Sequence, residues 1–437
     1  MPASWPAGDP YLKNGERTLP SVDYQQVFTD GRLQQLIGLA LQNNRDLRVA
    51  AGNIATAREA YRIQRAERLP QIGAGIAATR SGSDANDSAD EGETQLSASI
   101  GVTAFELDLF GRVRSLSDSA LQQYFATEAA ARATRLTLIG DVAAAWSAYG
   151  ADHSLLTIAE ETAQTASRSV ELTQARLKGG VAPRTDLRQA EQILAQAQSD
   201  VAQLRTQLAQ DVNALQLLVG ASIDAALLPV SIDEVAHGAT EVSAGIDSAV
   251  LLRRPDVLQA EYLLRSANAE IGAARAALFP RISLTAIAGV ASTALRGLFD
   301  GEGSSWSTEA AASYPIFDAG AARAGVRQTK AQRDVALATY EKTIQSAFRD
   351  VADALARRGT IDEQLRADTA DVTASTDYFR LADARYRGGI DTFLTSLDAQ
   401  RSLYSAQRTL VATQLARVTN LVDLYRALGA DEQAGNR

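Results

Sequence analysis

The chain has no cysteine, which rules out disulfides and thiolate metal sites. Only two histidines, His153 and His237, occur in its 437 residues, with no HExxH-like spacing to hold a catalytic metal. His153 falls inside a helical stretch, where a surface or packing role is the simpler reading. No window approaches the ~18–20 apolar residues of a membrane-spanning helix, so a membrane crossing would have to be made by strands. There is no basic block, and the net charge of −9 excludes nucleic acid as a partner by bulk electrostatics. Gly73-Ala74-Gly75 is only a fragment of a nucleotide fingerprint and begins a strand instead of opening a helix. Paired carboxylates occur on helices, where solvated faces explain them. No catalytic residue, cofactor site or metal site is expected, so the chain is not expected to be an enzyme. Met1 is followed by Pro2-Ala3-Ser4-Trp5-Pro6, without the charged and apolar regions of a signal peptide. The expectation is a mature or trimmed form.

What is present is alanine, glutamine and arginine in quantity, within a chain that is 46% hydrophobic. That mixture favours long helices packed through small side chains. The chain also repeats itself. Asn44-Arg45-Asp46-Leu47 is echoed by Arg254-Pro255-Asp256-Val257, and Leu69-Pro70-Gln71-Ile72 by Phe279-Pro280-Arg281-Ile282. Phe110-Gly111 lies near the position equivalent to Phe317-Asp318-Ala319-Gly320. Arg176 to Val181 returns as Arg385 to Ile390, and Leu215 to Gly220 as Leu424 to Gly429. Landmarks holding one register over so long a span indicate a duplication. Each copy reads as helix, strand, loop, strand, very long helix, tight turn, long helix. The boundaries expected are an extended N-terminal arm over 1–30, a first repeat over 31–220, a linker over 221–250, a second repeat over 251–429 and a tail over 430–437.

The strands are expected at 71–80, 95–105, 281–290 and 306–317. In the second, Leu96, Ala98, Ile100, Val102 and Ala104 alternate with Gln95, Ser97, Ser99, Gly101 and Thr103. Ile72, Ala74, Ile76 and Ala78 form a similar row, as do Ile282, Leu284, Ala286 and Ala288. Trp306, Thr308, Ala310, Ala312, Tyr314 and Ile316 form a fourth, and Trp306 and Tyr314 suit aromatic girdles. About ten residues matches a tilted transmembrane strand. Alternation alone fits soluble hairpins equally well. Four strands cannot close a barrel, and an open sheet edge in lipid is prohibitive, so the membrane reading requires an oligomer. The loops Arg80 to Thr94 and Ala291 to Ser305 are rich in Ser, Gly, Asp and Glu, as suits outward-facing loops.

Over 112–178 there is no proline, and some 65 helical residues would span about 100 Å. A second helix is expected over 185–219. Its apolar positions Leu187, Ala190, Leu194, Ala197, Val201, Leu204, Leu208, Val212, Leu215 and Val219 step mainly by three and four, a heptad seam. Leu403, Ala406, Leu410, Val418, Leu421, Tyr425 and Leu428 follow the same pattern in the second repeat. The seam alone suits an antiparallel coiled coil. The small residues off it would let each helix meet two neighbours, as a closed tube requires.

These landmarks resemble the TolC-like outer-membrane efflux channels, and most nearly the lipoprotein-type branch that includes OprM. The likeness runs from about Leu33 to Gly429. It is carried by Leu41 to Ala50, Phe105 to Arg112, Arg253 to Asp256, Gly272 to Ala277 and Leu397 to Leu403. The resemblance implies a homotrimer of mixed α and β class. Four strands per protomer would complete a twelve-stranded transmembrane β-barrel, continued by a long periplasmic α-helical barrel and belted by an equatorial domain. It implies the outer membrane of a Gram-negative bacterium, contact with outer-membrane lipid, and a passive duct for drugs and other small molecules in tripartite multidrug efflux. The partners implied are a periplasmic adaptor (membrane fusion) protein and an inner-membrane pump of the resistance-nodulation-division type. The branch's lipid-modified N-terminal cysteine has no counterpart here.

By the same resemblance, Leu394 and Asp398 line a closed periplasmic constriction. Leu394 would give a dewetting collar and Asp398 a ring of mutually repelling carboxylates. The alternative for Asp398 is a solvated carboxylate paired with Arg401. Arg385 and Tyr386 match latch residues, with Asp186 as the suggested partner. Gly180, Val181, Thr185, Gly389, Ile390 and Thr392 match the tip that meets the adaptor. Independently of the resemblance, glycine at Gly179-Gly180 and Gly388-Gly389 permits the positive φ that reverses a long helix. The other functions weighed are a protein-secretion exit duct of the same fold, a soluble periplasmic coiled-coil adaptor, and a helical enzyme with an unrecognised site.

Overall fold

The computed structural model describes residues 24–81, 93–238, 248–298 and 303–429. Four antiparallel strands form one sheet in the order β1-β2-β3-β4: β1 is Ile72–Ser81, β2 Glu93–Glu106, β3 Arg281–Ser292 and β4 Ser304–Ser313. The apolar rows of the sequence fall into register across all four. Ala74 faces Ile100, Ile100 faces Ala288, and Ala288 faces Trp306. One face therefore carries Ile, Leu, Val, Ala and Trp, while Gly75, Ser99, Gly289 and Ser305 run across the other. Small residues on that second face let strands approach: a Cβ on Gly101 would sit 2.3 Å from the Ala286 carbonyl oxygen.

The alternation fails at one point. Between Val102 and Phe105 the register with β3 slips, leaving Thr103 and Ala104 opposite Thr285. Ala104 takes φ +53°, and its N–H is satisfied by Thr285 Oγ1 at 3.1 Å. Phe105, not Ala104, consequently continues the apolar row, paired with Leu284. The fourth strand is also shorter than expected. It stops at Ser313, because Pro315 can donate no ladder hydrogen bond, and Tyr314 and Ile316 lie beyond it.

The chain divides into two compact units that cut across the duplication. One comprises Gly52–Glu128 and Gln259–Glu341 and contains the sheet. Here α4 (Arg112–Lys178) and α8 (Ala321–Arg387), each of 67 residues, begin under matching caps. Asp108 accepts from the Val113 and Arg114 N–H groups, and Asp318 from those of Gly320 and Ala322. Along α4, Ser119 meets Ser266 of α7 (Pro255–Ala276) at 2.9 Å between hydroxyls. A Cβ on Gly272 would lie 2.6 Å from Ser115 Oγ, so small side chains set this helix spacing. Phe110 stacks on Phe279 with centroids 4.7 Å apart.

The other unit comprises Met1–Ala51, Ala129–Leu258 and Lys342–Arg437. Its core packs Leu36 and Ile37 of α2 (Gly31–Asn43), Ile139 and Trp146 of α4, Leu215 of α5 (Arg184–Val219) and Leu424 and Tyr425 of α9 (Phe393–Leu428). Every expected seam position of α5 and α9 is buried or half-buried. The two repeats close alike. Asn44 Nδ2 donates to the Leu218 carbonyl at 2.8 Å, and Arg254 Nη1 to the Ala427 carbonyl at 3.1 Å. Asn44 Oδ1 also caps α3 (Arg45–Ala66) through the Asp46 and Leu47 N–H groups.

Two segments are less plain than their sequence suggested. Residues 1–23 lie outside the described residues, but Tyr24–Val27 is a helical turn, α1, not extended chain. Tyr24, Val27 and Phe28 are buried, and Phe28 packs edge-on against Tyr425 at 5.6 Å. The linker over 221–250 carries a 3-10 turn at Ala225–Leu227 and the helix α6 (Ile232–His237). It folds because Ile232 and Val235 are buried and Trp146 Nε1 donates to the Leu227 carbonyl at 2.9 Å. The expected tail over 430–437 and most of the first inter-strand loop are outside the described residues.

Candidate functional site

The two long hairpins end in the same turn. In the first, Gly180 takes φ +73°, its N–H bonds the Leu177 carbonyl at 3.0 Å, and the Val181 N–H reaches back to the Arg176 carbonyl at 3.0 Å. In the second, Gly389 takes φ +72°, with Gly389 N–H on the Tyr386 carbonyl at 3.0 Å and Ile390 N–H on that of Arg385 at 2.9 Å. Both are Schellman caps, in which a left-handed glycine lets two N–H groups satisfy the last helix carbonyls. The residue after each glycine is thrown outward: Val181 is 76% exposed and Ile390 68%. Thr185 and Thr392 are also exposed, the latter standing at the N-cap of α9.

Behind the turns, Tyr386, Phe393, Leu397 and Ala190 form a buried cluster flanked by Val170, Leu172 and Ile193. Tyr386 is thus a core residue, 4% exposed, with its ring 5.3 Å from that of Phe393 and its hydroxyl 3.4 Å from Thr173 Oγ1. One residue that the sequence reading left unassigned organises this cluster. The Arg176 guanidinium lies over the Tyr386 ring, 4.4 Å from its centroid. Its Nη2 donates to the Tyr386 and Arg387 carbonyls at 3.0 Å each. A cation from α4 therefore caps the C-terminus of α8, where carbonyls and helix dipole both favour positive charge.

Arg385 is the repeat counterpart of Arg176 but does something different. Its Nε holds Asp391 Oδ2 at 2.6 Å, inside its own turn. The first turn has Ala182 at the position of Asp391, so Arg176 has no such local partner and reaches across. No hydrogen bond or ion pair joins Asp186 to Arg385 within one chain; among the described residues the Asp186 carboxylate meets only Thr185 Oγ1, at 3.5 Å. The structure thus does not bring the three expected latch residues together.

Leu394 and Asp398 share one exposed face of α9, one turn apart, with Leu394 52% exposed. The opposite face, with Phe393, Leu397 and Gln400, is buried. Asp398 makes no ion pair with Arg401 or any other described residue, and its carbonyl accepts from Ser402 Oγ at 2.9 Å. An anchored helix thus presents an apolar side chain and a free carboxylate to solvent. Among the described residues, no cluster of three or more His, Cys, Asp or Glu could hold a metal ion.

The family described as outer membrane efflux protein matches residues 36–221 and 247–430. A probable efflux pump outer membrane protein of Pseudomonas putida, TtgC, is 46% identical over 441 residues, covering 99% of this chain and 91% of that protein. Among solved structures, a membrane protein from Pseudomonas aeruginosa superposes with a TM-score of 0.89 at 39% identity, covering 98% of this chain and 97% of that one. The open state of the Neisseria gonorrhoeae outer membrane channel MtrE superposes with a TM-score of 0.87 at 35% identity, covering 99% and 96%.

Proposed function

The chain belongs to the outer membrane efflux protein family and is an outer-membrane channel component of an efflux pump; from that premise we propose that three copies form one duct gated at the helical turns. Each copy contributes four strands to a twelve-stranded barrel. In support, β1 and β4 are unpaired sheet edges among the described residues of one chain, which lipid does not tolerate. The duct is passive. It exports drugs and other small molecules, and it docks at Gly180, Val181, Thr185, Gly389, Ile390 and Thr392 to a periplasmic adaptor served by an inner-membrane pump of the resistance-nodulation-division type. The exposed Val181 and Ile390 give such a partner two apolar anchors per copy.

One observation carries the gate: the exposed Leu394–Asp398 face stands on a helix whose other side is fixed by Phe393 and Leu397. Around a threefold axis, three Leu394 side chains close a dewetting collar and three Asp398 carboxylates make a cation-attracting ring. The latch is a contact between copies, in which Arg385 exchanges Asp391 for the Asp186 of a neighbour while Tyr386 holds the turn in place. Single-channel conductance in planar bilayers tests both parts. Leu394→Ala with Asp398→Ala should raise conductance several-fold, and Asp186→Ala with Arg385→Ala should raise it as well. Unchanged conductance in the first pair removes the gate, and in the second the latch.

A further inference from the structure

A cavity of about 260 Å³ lies between α5 and α9, with Thr162 of α4 also in its wall. One polar group in its wall has no partner. Gln400 is 9% exposed, and its Nε2 makes no hydrogen bond. A buried donor left unsatisfied costs stability unless something enters to accept from it.

The other polar groups narrow what that something is. Both oxygens of Asp200 are already taken, Oδ2 by the Tyr404 hydroxyl at 2.7 Å and Oδ1 by Gln196 Nε2 at 2.9 Å. Burial, reinforced by Asp200, pushes the Tyr404 hydroxyl up to about 12, so it remains a proton donor to that carboxylate. Arg401 lines the same cavity and pairs with no carboxylate among the described residues. Gln400 Nε2 and the Arg401 guanidinium are thus donors available to an anion, set against an Asp200 carboxylate whose charge is partly offset by its two hydrogen bonds, while Ile193 and Ala197 supply apolar wall.

We propose that this cavity binds small organic carboxylates, the anion accepting from Gln400 Nε2 and the Arg401 guanidinium while its apolar body lies against Ile193 and Ala197. The space is large enough for an anion the size of benzoate. The site borders the proposed gate, since Arg401 stands one turn beyond Asp398 on the same face of α9.

The test uses the full chain in detergent with 4-fluorobenzoate as probe, followed by its ¹⁹F relaxation, and with 4-fluorotoluene as the uncharged control. Binding of 4-fluorobenzoate should be saturable and about millimolar, as suits a ligand of this size. Gln400→Leu keeps the side-chain volume and removes the orphan donor, so it should weaken binding about tenfold. Arg401→Gln, at an exposed position that leaves folding intact, should weaken it to a similar degree. Gln400→Glu should abolish it by placing like charge against the anion. If 4-fluorobenzoate shows no saturable binding, or binds both Gln400→Leu and Arg401→Gln as it binds the parent, the proposal fails and water fills the cavity. Equal binding of 4-fluorotoluene would also overturn it, since the site would then select for apolar bulk alone.

Discussion

The guanidinium of Arg176 sits 4.4 Å from the centre of the Tyr386 ring and donates to two carbonyls at the end of α8. A residue of the first hairpin therefore finishes a helix of the second. Removing it deletes a cation–π contact and one donor each to the Tyr386 carbonyl, which keeps the Gly389 N–H, and to the exposed Arg387 carbonyl. Arg176→Ala should lower stability by about 1–2 kcal/mol. It should also lower amide exchange protection selectively around residues 385–393. Arg176→Lys should recover only part, since a point charge cannot stack flat and fork to two carbonyls together. Exchange measured by mass spectrometry checks this, and uniform loss across α8 would argue against a local cap.

Asp391 and Ala182 are the difference between the two turns. The Arg385–Asp391 pair is largely exposed, so a double-mutant cycle should find a coupling of only about 0.5–1 kcal/mol despite its 2.6 Å separation. Ala182→Asp should offer Arg176 the local partner that Arg385 already has. It should thereby loosen the cap on α8, and the fingerprint to measure is again protection at 385–393.

The duplication was legible because it is written in helix caps and turn glycines, which act through local backbone chemistry. The seam of α5 and α9 was legible because a three-and-four spacing can bury only one face. The two faces of the strands were legible from period-two alternation, except at Ala104 and past Ser313, while the pairing between strands was not. At Ala104 the chain adopts φ +53° because Thr285, nearly two hundred residues away, satisfies its N–H. No local pattern announces that. Arg176 was missed for a similar reason: its role depends on a helix end 210 residues distant. The only trace in the sequence was that its repeat counterpart has an aspartate six residues on and Arg176 does not. Asp186 was matched to Arg385 by resemblance, but a single chain cannot display a contact between copies.

The bulge itself makes a prediction. Thr285→Val keeps the shape of the side chain but strands the Ala104 N–H, at a cost of about 1–3 kcal/mol. Ala104→Gly should act oppositely and gain up to about 1 kcal/mol, because glycine adopts the left-handed region without strain. Heat-dependent gel mobility of the folded barrel provides the measurement.

At the junction that closes the first repeat, Asn44 is 3% exposed and serves α3 as cap and Leu218 as donor. Asn44→Asp keeps the cap and replaces the donor with a carboxylate facing a carbonyl. It should therefore destabilise at least as much as Asn44→Ala, about 2–3 kcal/mol. If Asn44→Asp were neutral in thermal unfolding, the bond to Leu218 would contribute nothing.

Asp152 gives the pH dependence. Burial, then the hydrogen bond and charge of Asp211 on α5, push its carboxyl up to about 6. Asp211 in turn accepts from Gln207 Nε2 at 3.0 Å, while neighbouring His153 keeps its Nδ1 buried without a partner. In the unfolded chain Asp152 titrates near 3.8, so the folded state holds its proton more tightly. The stabilisation is complete below about pH 3.8 and is lost as pH rises through about 6. Above that both carboxylates are charged and repel. With Asp152 only partly buried, screening reduces the loss to about 1–2 kcal/mol. Asp152→Asn can still donate to Asp211 at any pH. It should therefore raise stability by about 1 kcal/mol at pH 7.5 and leave it unchanged near pH 4. Thermal unfolding midpoints of the two proteins across pH 4–8 should diverge between about pH 4 and 6 and run parallel above that. Parallel curves throughout would mean that Asp152 and Asp211 do not share a proton.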